Sequence, residues 1–272
     1  MTILTNFLYQ LLFTVGVIIA FGLIIAICRR IFCKLLGRPG YRFILTTGII
    51  GTPIHELSHA LMCIVFGHKI TEIKLFQPFS DDGTLGYVNH SYNPKNIYHQ
   101  IGNFFIGVAP IIVSSGFLFL FMYLLVPNTF SSVKNEISLF SENATSLLDS
   151  DSISNIFALF GGILGAIFDF SNLGNVLWWV FFVLAIMISS HMELSGADIK
   201  GSVLGLIVIA LLLLIANVIL GLISTNVLTS FTAFMASVGL TIASFLVISV
   251  VFSAVMLVVA IIIKLIGKIL GR

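Results

Sequence analysis

Long apolar runs, separated by short polar stretches, make up most of the chain. Because an α-helix rises about 1.5 Å per residue, about 20 apolar residues cross the hydrocarbon core of a bilayer. Runs of roughly this length lie near residues 7–27, 43–66, 101–126, 172–190, 202–224 and 236–263. A further run at 155–168 is glycine-rich and too short to span comfortably, which indicates an interfacial or re-entrant segment. The pattern predicts an all-α integral membrane protein with about six transmembrane helices.

Two longer polar stretches interrupt these runs. From Ile70 to Phe76, apolar and polar side chains alternate, as they do in a strand with one buried face. Asp81-Asp82-Gly83 is typical of a turn, and Thr84 to Val88 is a candidate return strand. We therefore expect a small β-hairpin at about 70–90. The second stretch, at about 127–154, is polar and acidic and predicts an exposed loop.

Composition makes lipid the natural solvent of this chain. Hydrophobic residues make up 58% and charged residues 9% of the sequence, whereas soluble domains carry roughly 25% charged residues. We expect a multi-pass integral protein of a prokaryotic cell membrane, in direct contact with the lipid bilayer. The formal net charge of +2 gives no reason to expect a nucleic-acid partner. The pattern leaves the oligomeric state open.

Charge asymmetry around the runs allows three orientations. Five basic residues between positions 29 and 42 favour the cytoplasmic side, whereas the acidic stretch 127–154 favours the outside. If 43–66 crosses the membrane fully, these preferences conflict. The 43–66 run is then re-entrant, with a turn at Gly51-Thr52-Pro53, or 155–168 is a short crossing that puts 127–154 inside. The third arrangement places the basic cluster outside.

One short ionisable motif, His55-Glu56-Leu57-Ser58-His59, lies inside the apolar run 43–66. A charged side chain at the bilayer centre costs about 2.5–3.5 kcal/mol on translocon scales, so intramembrane ionisable residues are functional candidates. His55 and His59 are four residues apart on a helix, and both imidazoles therefore project from one face. Two such nitrogens can share one Zn²⁺. The spacing predicts a zinc site with His55 and His59 as metal ligands.

Glu56 is the candidate catalytic residue of this site. It follows His55 directly and is rotated by about 100° around the helix, so it can reach a zinc-bound water without being a ligand. As a general base it would activate that water, and as an acid it would protonate the leaving amine. Proline is favoured in a first helical turn and Thr52 suits an N-cap. We therefore expect the catalytic helix to begin at Pro53.

A catalytic zinc requires a third protein ligand. The polar segment 191–200 lies between two apolar runs and contains His191, Glu193 and Asp198, each of which can supply a metal-binding atom. Each can also be an ordinary polar residue at a helix end, and Asp198 suits the first turn of the following helix. The residues alone leave all three open.

The chain resembles the site-2-protease family of intramembrane zinc metalloproteases over roughly residues 43 to 205. In that family, the HExxH motif lies in a membrane helix and an aspartate from a later helix completes the metal site. The resemblance implies that Asp198 is the third ligand, with His191 as the alternative. The match is looser here, because Gly201 comes only third after Asp198, where the family has an Asp-Gly pair. Glu193 would give a gluzincin-type site, but Glu193 and Asp198 stand five apart, one too many for Glu-x-x-x-Asp.

The resemblance also implies that the parts of one polytopic membrane domain spanning 1–272 have different roles. A catalytic core at about 43–205 would hydrolyse peptide bonds of membrane-protein substrates, which a membrane-associated hairpin would present as extended strands. The C-terminal helix pair at about 202–263 would pack beside this core, and 127–154 would be a polar loop. Asn103, at the start of the next run, would bind the substrate backbone or an oxyanion, or form an interhelical hydrogen bond.

Two other functions stay open. The same histidines would suit a metal-binding or transport membrane protein, although no second run carries a line of ionisable residues and no repeat is visible. A protease-like scaffold that binds membrane proteins without cutting them is also compatible with the motif. His68, His90 and His99 show no spacing that pairs them, so we expect each to be a solvated loop residue.

Overall fold

The computed structural model describes residues 2–81, 83–143 and 150–270. The elements in chain order are α1 (Ile3–Leu11), a π-helical turn (Leu12–Gly16), α2 (Val17–Leu36), α3 (Arg38–Val65), β1 (Lys69–Lys74), β2 (Tyr87–Ser91), α4 (Ile97–Leu125), α5 (Pro127–Asn143), α6 (Ser150–Ile167), a 3₁₀ turn (Phe170–Gly174), α7 (Val176–Ser189), α8 (Gly196–Ile223) and α9 (Thr225–Ile269). The sheet consists of β1 and β2 alone within this described part.

Six helical segments among the described residues are long and apolar enough to cross a membrane. They are Ile3–Leu36, Arg38–Val65, Ile97–Leu125, Ser154–Gly174, Gly196–Ile223 and Thr225–Ile269. The mostly helical fold with six candidate membrane spans is therefore confirmed, together with the small β-hairpin.

The six candidate spans differ from the six predicted apolar runs at one place. The run 155–168 belongs to a candidate span, whereas 172–190 contains only the 14-residue α7. The reason is local capping, because the Asn175 side chain accepts a hydrogen bond from the Leu177 N–H and starts a new helix there. A helix of this length rises about 21 Å, less than the roughly 30 Å hydrocarbon core.

The helix that carries the histidine motif does not begin at Pro53. α3 runs unbroken from Arg38 to Val65 with Pro53 inside it, so the predicted start and the re-entrant turn at 51–53 are both wrong. Apolar helices tolerate an interior proline where neighbouring helices satisfy the backbone groups that it frees. The chain breaks instead at Gly37, whose φ of 61° ends α2 and lets α3 fold back beside it.

The stretch predicted as a polar loop is helical over residues 127–143, while residues 144–149 lie outside the described part. Val133 and Phe140, two helical turns apart, are buried and pack in the same apolar cluster as Leu159 and Ile163 of α6. A sparse apolar stripe on one face was therefore enough to form a helix, because a neighbouring helix covers it.

The hairpin after α3 has antiparallel strands, with Ile73 opposite Val88, and a bulge between Ile70 and Glu72. The return strand begins three residues later than predicted, at Tyr87 rather than Thr84. Residues 84–86 instead leave the ladder, and Gln77 N–H donates to the Leu85 carbonyl across the loop (2.6 Å). This loop lies over the motif helix, as described below.

Close packing of α4 against α8 brings the first turn of α8 to the histidine motif. A Cβ at Gly107 of α4 would lie 2.6 Å from the Asp198 carbonyl oxygen and 2.7 Å from the Ser202 Cβ. Only glycine permits this approach of the two helices. Since α4 also packs against α3, it places Asp198 next to residues that are about 140 positions earlier in the chain.

Candidate metal centre

His55 and His59 lie one turn apart on α3, with ring centroids separated by 4.9 Å. Their outer ring nitrogens are held by backbone carbonyls of other segments. His55 Nδ1 lies 2.6 Å from the His191 carbonyl oxygen, and His59 Nδ1 lies 2.7 Å from that of Ile106. Because a carbonyl oxygen only accepts hydrogen bonds, each Nδ1 carries the proton. In the neutral rings, both Nε2 atoms therefore present lone pairs.

The two Nε2 atoms face each other at 3.2 Å and also face a carboxylate. Asp198 Oδ1 lies 3.2 Å from His59 Nε2, and Asp198 Oδ2 lies 3.9 Å from His55 Nε2. One ligand atom from each of the three residues lies within 4.8 Å of the others. The structure therefore brings together His55, His59 and Asp198 as a possible metal-binding triad.

Asp198 is positioned by the helix that it starts. Its Oδ2 accepts a hydrogen bond from the Ser195 N–H (2.7 Å), while Ser195 Oγ accepts one from the Asp198 N–H (3.1 Å). This capping box fixes the first turn of α8. The capping and ligand roles considered from the sequence are compatible, since Oδ1 remains directed at the histidines.

The donor set fits a divalent cation. Two imidazole nitrogens and a carboxylate oxygen converge without a hydrogen-bond donor between them, and their lone pairs repel one another unless a positive charge lies at that point. Nitrogen and oxygen ligands in this combination suit Zn²⁺. The carbonyl partners of the two Nδ1 atoms are the outer hydrogen bonds that orient histidine ligands in metal sites.

The other two candidate ligands are engaged elsewhere. The His191 ring lies against α3, with Nε2 3.0 Å from the Ile44 carbonyl oxygen and Nδ1 3.3 Å from Thr52 Oγ1. Its backbone carbonyl, rather than its ring, contacts the centre through His55. Glu193 forms an ion pair with Arg29 of α2. Neither side chain joins the triad.

Glu56 borders a cavity of about 500 Å³ that the triad shares. Its side chain is buried between α3 and the hairpin loop, and a Cβ at Gly86 would lie 2.8 Å from Glu56 Cγ. The hairpin, including Thr84 and residues 86–90, also lines the cavity. The cavity therefore places a buried carboxylate, the possible metal-binding triad and part of the hairpin around one space.

Asn103 also lines this cavity, from the second turn of α4. It is 7% exposed, and its Nδ2 has no hydrogen-bond partner among the described residues. A buried amide without a partner is unusual in a folded protein. Among the described residues it is an unpaired donor at the edge of the cavity.

The three histidines that we expected to be solvated lie together at the corner where α3, the hairpin and α4 meet. His68 is 5% exposed, its Nδ1 lies 3.0 Å from His90 Nδ1, and its Nε2 lies 2.9 Å from the His99 carbonyl oxygen. The expectation of separate loop residues is therefore wrong. His90 and His99 follow His68 by 22 and 31 positions. In the sequence, only their positions near the ends of neighbouring elements indicate that they could be in contact.

Comparison of the chain with models of known protein families, with curated proteins and with solved structures found no match.

Proposed function

We propose that this protein is an intramembrane zinc metalloprotease of the site-2-protease type, which hydrolyses peptide bonds of membrane-anchored polypeptides. One observation carries the proposal: His55 Nε2, His59 Nε2 and an Asp198 oxygen converge as acceptors beside the buried carboxylate of Glu56. His55, His59 and Asp198 would hold the Zn²⁺. When bound, zinc supplies a lowered water pKa and polarisation of the scissile carbonyl.

Glu56 is the proton carrier in this proposal. It lies on the same helix as the two histidines but points between α3 and the hairpin loop, where Gly86 leaves room for it. There it takes a proton from the attacking water and delivers it to the leaving amine. Asn103, which lines the same cavity, supplies an amide donor that has no hydrogen-bond partner among the described residues and that suits the carbonyl oxygen at which negative charge develops.

The hairpin supports an extended substrate. β1 pairs with one edge of β2, and no other described strand pairs with β2. Residues 87–90 of β2 border the cavity. A polypeptide that adds as a strand to this edge would form main-chain hydrogen bonds along it, and binding of this kind tolerates varied side chains. The scissile bond would then lie beside Glu56 and the triad.

The test is zinc content and proteolysis of the detergent-purified full-length chain, with fluorescein-labelled β-casein as an extended polypeptide probe. We expect wild type and Glu56→Gln to hold about one zinc each. Casein cleavage should fall by about 10²–10⁴-fold in Glu56→Gln, because the proton carrier is lost while the ligands stay.

Two results would contradict the proposal. A wild-type protein that holds no zinc after incubation with the ion points to the non-catalytic scaffold. A Glu56→Gln protein that binds zinc and cleaves casein at the wild-type rate removes Glu56 from the reaction, and the metal-binding or transport function then becomes the better account.

A further inference from the structure

The histidine corner, formed by His68, His90 and His99, shares a wall with the proposed active site. His90 lines the cavity together with the triad and Glu56. His68 lies behind it and is stacked on Tyr92, with ring centroids 4.9 Å apart and an interplanar angle of 13°. None of these imidazoles belongs to the metal centre, so their arrangement requires its own explanation.

Hydrogen bonding determines which nitrogens in this corner carry protons. His68 Nε2 faces the His99 carbonyl oxygen, which only accepts, so His68 Nε2 carries the hydrogen. Burial lowers the pKa of both His68 and His90, and at neutral pH both rings are neutral. Neutral His68 then has a bare Nδ1, which must accept its hydrogen bond from His90 Nδ1.

This hydrogen bond also determines the state of the other ring nitrogen of His90, Nε2. With its one proton on Nδ1, His90 has no proton on Nε2. This is the less common tautomer of a neutral histidine, and the hydrogen bond to His68 holds His90 in it. No described residue makes a hydrogen bond to this Nε2. Because His90 belongs to β2 and lines the cavity, this acceptor lies next to the strand along which the polypeptide is proposed to add.

We propose that His90 is a substrate-binding residue whose Nε2 accepts a hydrogen bond from an N–H or O–H group of the bound polypeptide, and that His68 is a positioning residue which holds it in that tautomer. The inference rests on the proposed protease function for the identity of the ligand. It predicts a preference at the adjoining substrate position for side chains that donate a hydrogen bond, such as serine, threonine or glutamine, over ionised aspartate or glutamate.

The experiment begins with ¹⁵N-histidine NMR of the zinc-loaded, full-length Glu56→Gln protein, which binds without cutting. We expect the His90 Nε2 resonance at the position of a bare imine nitrogen, and a change in its shift when β-casein is added. His68→Asn should keep this tautomer, because the asparagine Oδ1 replaces Nδ1 as the acceptor. His68→Phe should lose it. His99→Asn is the matched control, since it removes an imidazole but leaves the backbone carbonyl that orients His68.

Kinetics on otherwise wild-type protein complete the test. Loss of one hydrogen bond to the substrate should raise KM for casein about threefold to tenfold in His90→Phe, with kcat and zinc content little changed. His68→Phe should show a smaller rise, and His68→Asn and His99→Asn should match wild type.

The outcomes separate this inference from the proposed function. A protonated His90 Nε2, or a bare Nε2 whose resonance stays unchanged when casein is bound, overturns the role of His90 whatever the protease activity. Zinc-loaded wild-type protein that binds casein without cleaving it overturns the protease, while a casein-induced shift of His90 Nε2 would still support the binding role.

Discussion

Two groups of histidines lie close together in this protein, and their hydrogen bonds make them chemically different. In the candidate metal centre, the outer nitrogens of His55 and His59 donate to carbonyl oxygens, and three acceptors converge inside. In the histidine corner, His90 donates to His68, which donates to a carbonyl, so donors and acceptors alternate between these two rings and only His90 Nε2 lacks a described partner there. The difference teaches that the balance of donors and acceptors, rather than the number of histidines, indicates a cation site.

Zinc binding should distinguish the two histidine groups most clearly. Mutation of residues that only hydrogen-bond a metal ligand typically lowers metal affinity roughly 10–100-fold. We expect a larger loss of zinc affinity in His59→Ala, because this variant lacks a direct ligand. His68→Ala should keep about one zinc per chain. Zinc content by atomic emission after dialysis measures both. Equal loss in the two variants would mean that the corner, too, holds the ion.

Asn103 tests whether the cavity contributes beyond the metal. Replacement by leucine, of similar size, removes the unpartnered amide while the triad stays intact. Casein cleavage should fall by about 10²-fold, the lower end for loss of a donor to a developing oxyanion, and zinc content should not change. A variant with unchanged kcat/KM would show that Asn103 serves helix packing alone.

The approach of α4 to α8 should act on the metal centre and leave the histidine corner intact. Gly107→Ala places a Cβ against the first turn of α8 and displaces Asp198, so zinc affinity should fall by about tenfold, the lower range for a disturbed ligand setting. Gly116→Ala, on the same helix with nothing within 4 Å of its added Cβ, is the control. Competition with a fluorescent zinc chelator measures the affinities. If the two variants bind zinc alike, α4 does not position Asp198.

A fall in pH should have the smallest effect, a loss of stability that comes from the histidine corner. Burial depresses the pKa of His68 and His90 below the usual 6.5. The unfolded chain therefore binds protons more readily, and the stability that these groups contribute is complete above about pH 6.5 and declines as pH falls through their folded pKa values. Between pH 7.5 and 5 we expect the melting temperature to fall by a few degrees more in wild type than in His68→Phe. Identical pH dependence would place the acid-sensitive groups elsewhere.

Local patterns were sufficient for several features of this fold. The apolar runs predicted helices for α3, α4, α8 and α9, because helix formation and membrane partition depend on side chains within a few turns. The alternation after Ile70 predicted the hairpin, although the return strand starts later. Capping by Asn175 and the buried stripe of α5 were missed, since each depends on one polar side chain or on a neighbouring helix.

The sequence by itself determined that His55, Glu56 and His59 lie together on one apolar helix, because spacings of one and four residues are geometrical properties of any α-helix. It also narrowed the third ligand to the segment 191–200. Only the tertiary structure brought Asp198, rather than His191 or Glu193, to the two motif histidines, and only it joined His68 to His90 and placed Asn103 beside the cavity. Those contacts depend on how closely α3, α4, α8 and the hairpin pack, and packing free energy is shared among residues far apart in the chain.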